Sequence, residues 1–128
     1  MRIEPNVHVE RLSPQIILGL VILNECVQEC TSAELTLTSG GDGVHSCDES
    51  KHYPDPETGL VHAVDVRIKD FDGNILDISG KDMSLAREVV KKAKDKLGPQ
   101  FDVVLEGNHI HSEYDPKNRN HFVKGKYV

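Results

Sequence analysis

Tryptophan is absent from this sequence, and aromatic residues fill only 5% of its 128 positions. A core of stacked rings is excluded, so burial must rest on Val, Ile and Leu. An excess of positive charge is missing too: the formal net charge is −6. Neutralising a phosphate backbone takes clustered Lys and Arg, so broad nucleic-acid binding has no electrostatic basis. The longest apolar run, Ile16 to Leu23, falls far short of the roughly 20 residues a membrane-spanning helix needs. No membrane insertion is expected. Met1 to Glu10 carry charge and proline rather than the apolar stretch of a secretory signal. A target outside the cytoplasm would then require delivery by other means. Cysteine is scarce: Cys26, Cys30 and Cys47 form an odd set without a disulfide framework. Reduced thiols are the expectation. Cys26 and Cys30 lie four apart on one helix face and with His45 and Cys47 could hold a structural zinc, although neither a CxxC pair nor finger spacing is present.

What is there suits one domain over residues 1–128, with a core from about 12 to 114 and a polar tail over 115–128 that the reading leaves loosely held. Leu12 to Cys30 reads as a helix, with Ser13 as N-cap and Pro14 in the first turn. Ile17, Leu20, Val21, Asn24 and Val27 fall on one face at helical spacing. Glu34 to Ser39 alternates as a strand and stops at Gly40 and Gly41. Asp42 to Val61 has no periodicity and reads as a long loop, of the kind that is often functional. Val61 to Asp70 is a strand with Val64 and Val66 on one face and Ala63 and Asp65 on the other. Phe71 to Asn74 carries a hairpin-turn signal, with a return strand at Ile75 to Ile78. A second helix starts at Asp82 or Ser84, buries Leu85, Val89, Val90 and Ala93, and ends before Gly98-Pro99. Phe101 to Leu105 and His109 to Tyr114 close the series as strands. The fold class expected is α+β: a small antiparallel sheet with helices packed on it.

Chemistry-bearing residues concentrate at His45, at His52 and His62, at Asp65, and from Glu106 to Glu113. Imidazole and carboxylate are the ligands zinc favours, and a catalytic site takes three of them while leaving one position for water. His109 and His111 share strand parity, so both rings point to one face. That face meets Asp65 if the two strands are neighbours.

Ser50-Lys51-His52-Tyr53 followed by Ala63-Val64-Asp65-Val66-Arg67 resembles the Ser-x-His-x-x-Gly-x-Ala-x-Asp-x-Arg signature of D-Ala-D-Ala carboxypeptidase-like zinc metallopeptidases. That group includes phage endolysins and shares its fold with the hedgehog signalling domain. His109-Ile110-His111 resembles its second motif, His-x-His. Thr38-Ser39-Gly40 and Gly43-Val44-His45-Ser46 are similar to stretches preceding the first motif in phage-type members. The resemblance spans roughly Leu12 to Tyr114 and implies a hedgehog/DD-peptidase-like fold. It further implies that His52, Asp65 and His111 bind Zn2+, that Glu106 is the general base and that His109 lines the site. The sequence departs from the pattern in one respect. His52 and Asp65 are thirteen apart, and Pro54 to Gly59 look inserted. His62 is therefore a rival ligand, though residues 62 and 65 point to opposite faces of a strand. His45 is a looser match to the cleft.

The function this implies is hydrolysis of a peptide bond in peptidoglycan stem peptides, at D-Ala-D-Ala or at L-Ala-D-Glu, in phage or prophage lysis. The other class compatible with the sequence is a catalytically silent zinc-binding recognition or virion domain of the same fold. Oligomeric state has no signature in the sequence.

Overall fold

Seven elements are present in the computed structural model, which describes residues 1–42, 50–69, 84–107 and 109–116. They are β1 (Arg2–Ile3), α1 (Pro14–Cys30), β2 (Glu34–Ser39), β3 (Ala63–Lys69), α2 (Ser84–Leu97), β4 (Phe101–Glu106) and β5 (His109–Tyr114). The hairpin turn and return strand expected after residue 70 lie outside the described residues.

Helix α1 begins where its chemistry directs. The Ser13 hydroxyl accepts the Ile16 N–H at 3.1 Å, and Pro14 occupies a first-turn position that has no use for an N–H. Leu12 is not helical as expected. It forms a bridge with Val61, tied by Ser13 N–H to Val61 O and by Val61 N–H to Arg11 O. The buried stripe also differs from the expected one. Ile16, Gly19, Leu20, Leu23, Cys26 and Val27 are buried, whereas Ile17 and Val21 are exposed. The physical reason is that residues 16–23 are apolar almost all round, so periodicity alone does not select the face. Helix α2 is clearer, with Ala86, Val89, Val90 and Ala93 inward. It ends at Gly98, whose φ of 80° suits glycine and whose N–H bonds Lys94 O.

The five strands form one sheet in the order β1-β2-β3-β5-β4, antiparallel except for the β1–β2 pair. Both helices pack on one face and against each other. Leu35, Leu37, Val64, Val66, Ile68, Val103 and Ile110 supply that face and are buried in one cluster with the helical stripe. Each such side chain contributes roughly 1.5–3 kcal/mol by leaving water. This is a small single-domain α+β fold, as the alternation of the strands implied. Period-two alternation sends the intervening residues, among them Asp65, His109 and His111, to the opposite face.

Candidate metal centre

Three strands and one turn meet on that opposite face. Asp65 pairs directly with His111 in the β3–β5 register, and His111 with Val104 across β5–β4. One step along, Glu106 pairs with His109. A strand ladder therefore brings Asp65, Glu106 and both histidines together, as strand parity requires.

His52 arrives from a turn. Its N–H donates to the Ser50 hydroxyl, Tyr53 N–H reaches back to Ser50 O, and His62 N–H bonds Lys51 O at 3.0 Å. The intervening segment closes on itself through Asp55 N–H to Leu60 O at 2.8 Å and Gly59 N–H to Asp55 O at 2.7 Å. Gly59 has a φ of 72°, a left-handed conformation that glycine adopts without strain. The inserted residues are thus a closed excursion. They leave and rejoin the chain at nearly the same place, which lets His52 reach Asp65 despite thirteen residues of separation.

The donor atoms converge. His52 Nε2 lies 3.3 Å from Asp65 Oδ1 and 3.3 Å from His111 Nδ1, and the last two atoms are 2.8 Å apart. Ligands about 2.0–2.1 Å from a tetrahedral ion stand about 3.3 Å from one another. Two of the three edges have that length. The same three residues form a grouping in which every ligand atom lies within 4.8 Å of the others, compatible with a bound metal ion.

The far side of each imidazole is tied down. His52 Nδ1 donates to Gly40 O at 2.7 Å, since a carbonyl only accepts, and this leaves Nε2 turned toward Asp65. His111 Nε2 donates to Glu113 Oε1 at 3.1 Å, turning Nδ1 toward the same point. Both rings are nearly fully buried. Two imidazole nitrogens and a carboxylate aimed at one spot call for a cation there, either a proton or a metal. The charges respond accordingly. Burial opposes the charged form of His111, but hydrogen bonds to Asp65 and Glu113 outweigh it and raise its pKa to about 9. Burial also opposes ionised Asp65, yet the His111 and His52 contacts prevail and hold its carboxyl far below the usual range.

Beside this trio, His109 Nε2 lies 2.9 Å from Glu106 Oε1 and 3.6 Å from Asp65 Oδ1, all three side chains being partly buried. Asp65 is thereby shared between the three-ligand group and the Glu106–His109 pair. Sequence reasoning singled out all five of these residues. His62 stands apart, with Nε2 3.8 Å from Asp55 Oδ2 and its ring against Tyr114. It takes no part in the groupings that could hold a metal among the described residues. His45 and Cys47 lie outside the described residues. Cys26 and Cys30 are reduced, and among the described residues no potential metal group includes a cysteine.

Glu113 was singled out only as the end of the Glu106–Glu113 segment, without a role, and the part played by Gly40 was missed. Glu113 shares the parity of His109 and His111, a signal that was available. Gly40 has no such signal. An added Cβ there would collide with the His8 carbonyl, so only glycine lets this carbonyl approach His52. Asp42 fixes the same turn by accepting Gly40 N–H at 2.8 Å and His8 N–H at 3.1 Å. Asp115, expected in a loose tail, is instead buried and its N–H bonds Gln100 O at 2.7 Å. In comparison with known proteins, no family model and no curated sequence matches this chain.

Proposed function

We propose that this protein is a zinc-dependent peptidase acting on a peptide bond of peptidoglycan stem peptides. The observation that carries the reading is the meeting of His52 Nε2, Asp65 Oδ1 and His111 Nδ1 at 2.8–3.3 Å, each ring oriented from behind. Two imidazoles and one carboxylate suit zinc, and three protein ligands leave a coordination position for water, the pattern of catalytic rather than structural sites. When bound there, zinc supplies Lewis acidity, polarising a carbonyl oxygen and bringing the pKa of a water toward ~7.

The chain's own residues carry the remaining steps. Glu106 stands beside the ligand group, with its carboxylate within 4.8 Å of the Asp65 oxygen. It accepts the proton as water attacks the peptide carbonyl and returns it to the leaving amine. His109, which donates its Nε2–H to Glu106, orients that carboxylate beside the ligand group. Asp65 and Glu113 hold the rings in place by charge. The wall peptide as substrate, and a lysis role in phage or prophage, are supported by the resemblance of the two motifs to the carboxypeptidase-like peptidases.

The test is incubation of the zinc-loaded protein with purified muropeptides, with products read by mass. Loss of a terminal D-Ala, or a cut between L-Ala and D-Glu, abolished by a chelator and restored by zinc, is the expected result. Stoichiometric zinc without cleavage of any muropeptide would instead favour a recognition domain of this fold.

A further inference from the structure

Helix α1 buries one stripe against the sheet and leaves the opposite stripe open. Ile17, Leu18 and Val21 are 48%, 55% and 57% exposed, and Ile22 beside them is half-buried. At about 100° per residue, Pro14, Leu18, Val21 and Glu25 fall within about 60° of one another, with Ile17 and Ile22 on the flanks. A helix that is apolar all round is ordinarily covered on every side. Here the core covers the inner stripe alone. Single exposed aliphatic residues are ordinary, whereas several on adjacent turns form a patch of the kind that marks an interaction surface.

The charges on the helix select what covers that patch. Glu25 and Glu29 are the only charged residues between Pro14 and Cys30, and both lie toward the C-terminal end. Lys96 of α2 bonds both carboxylates at 2.9 Å, yet the Glu25 side chain stays 59% exposed. The first turn holds no acidic residue, so the positive N-terminal end of the helix dipole is unanswered from within α1. A lipid surface is a poor match, because interfacial helices carry Lys and Arg on their polar face and α1 has neither. A second copy of α1 laid antiparallel is a good one. With Leu18 level with Val21, Ile17 comes level with Ile22 and Pro14 with Glu25. Aliphatic residues then meet aliphatic residues, and each Glu25 reaches the positive N-terminus of the opposite helix.

We propose that the outer stripe of α1 is a homodimer interface, paired antiparallel with α1 of a second copy about a twofold axis beside Leu18 and Val21. This is independent of the peptidase reading. The metal centre lies on the other face of the sheet, so pairing leaves both centres open and turned away from each other. A dimer of this kind engages a repetitive ligand at two points. The contact is small: Pro14 to Glu25 spans about 16 Å, and a helix pair of that length covers less than the roughly 800 Å² per partner of a standard interface. Exchange between monomer and dimer at about 10–100 μM is therefore expected.

The experiment is sedimentation equilibrium on the full chain, with and without a chelator, for wild type, Leu18→Glu, Val21→Lys and an equimolar mixture of the two variants. Wild type should show a monomer–dimer equilibrium that the chelator leaves unchanged. Each variant alone should dimerise about tenfold more weakly or worse, since a charge enters the apolar contact. Thermal midpoints should stay at the wild-type value, because both side chains are exposed. The mixture should recover dimer, the new acid of one copy lying level with the new base of the other. Wild type that is monomeric up to about 1 mM would overturn the proposal. So would a dimer undiminished in both variants, a mixture no stronger than its components, or association lost on chelation, which would be bridging by metal. Wild type that stays monomeric in solution but sediments with phosphatidylcholine vesicles would assign the stripe to a lipid surface instead.

Discussion

Asp65 and His111 are partners in the β3–β5 ladder, and their side chains meet 2.8 Å apart on the face turned away from the helices. The pairing makes the centre a property of the sheet, whereas His52 is brought by a turn. Loss of any one ligand should therefore remove the metal for different structural reasons. Asp65→Asn keeps shape and removes the charge that attracts the ion. His111→Ala removes the donor best fixed by the fold. His52→Ala removes the donor delivered by the Ser50–Tyr53 turn. All three variants should lose stoichiometric zinc in elemental analysis while keeping the far-ultraviolet circular dichroism of the parent. Retention of a full equivalent of zinc by any of them would remove that residue from the ligand set.

On the zinc reading, Glu113 would act on the metal through His111. Its carboxylate receives the Nε2 proton at 3.1 Å and is fully buried. Such partners fix ring orientation and raise ligand basicity, and losing them costs roughly 10–100-fold in metal affinity. Glu113→Gln should weaken zinc binding by that range without abolishing it, as measured by competition with a chromophoric chelator. An unchanged affinity would show that ring orientation is set elsewhere.

A metal ion held by His111 Nδ1 would compete with the proton on that nitrogen, which predicts a pH dependence with a definite sign. The folded-state pKa is raised to about 9, above the ordinary value of about 6.5. In the metal-free protein, this group's stabilisation is fully present below about pH 6.5 and is lost as pH rises toward about 9. Zinc bound there would have to displace that proton, so its affinity should rise about tenfold per pH unit across the same window, worth about 1.4 kcal/mol per unit at fixed free zinc. The difference in thermal midpoint between zinc-loaded and chelated protein should widen from pH 6.5 to pH 9. A difference independent of pH would mean that His111 is neutral before the metal binds.

Glu106 is the group whose removal separates chemistry from metal binding. Glu106→Gln keeps the side-chain length and a hydrogen bond to His109 but cannot accept a proton. On the peptidase reading, kcat should fall about a hundredfold or more with zinc content unaltered. A drop in zinc content parallel to the drop in rate would make Glu106 a ligand instead.

Much of this arrangement was legible before any coordinates. A His-x-His on a strand fixes the parity of two rings, and an Asp flanked by Val64 and Val66 must face away from the core those valines enter. The N-cap at Ser13 and the stop at Gly98 were equally local. Less visible was anything set by tertiary approach. Residues 16–23 are apolar on every side, so the buried face of α1 is chosen by the sheet it meets. The fitness of His52 depended on whether the excursion from Pro54 to Leu60 closes, which backbone hydrogen bonds decide. Asp115 looks like tail chemistry in one dimension and is buried in three.

Gly40 is the sharpest case of such an approach. Its carbonyl holds His52 Nδ1 at 2.7 Å, and its Cα sits where a side chain would meet the His8 carbonyl. The segment before α1 and the end of β2 are drawn together there by Gly41 N–H to His8 O and by the Asp42 carboxylate. Gly40→Ala forces backbone against backbone, which cannot be relieved by a rotamer change. A cost of about 1–3 kcal/mol is expected for such overpacking, read as a lower denaturation midpoint in urea. Because the carbonyl that orients His52 must move as well, zinc affinity should fall together with stability. Gly41→Ala is the control: its added Cβ would meet the Val61 side chain at 3.2 Å, a contact a side chain can yield to. It should cost less stability and leave zinc affinity unchanged. Equal effects of the two substitutions on zinc would show that the His52 ring is not positioned by the Gly40 carbonyl.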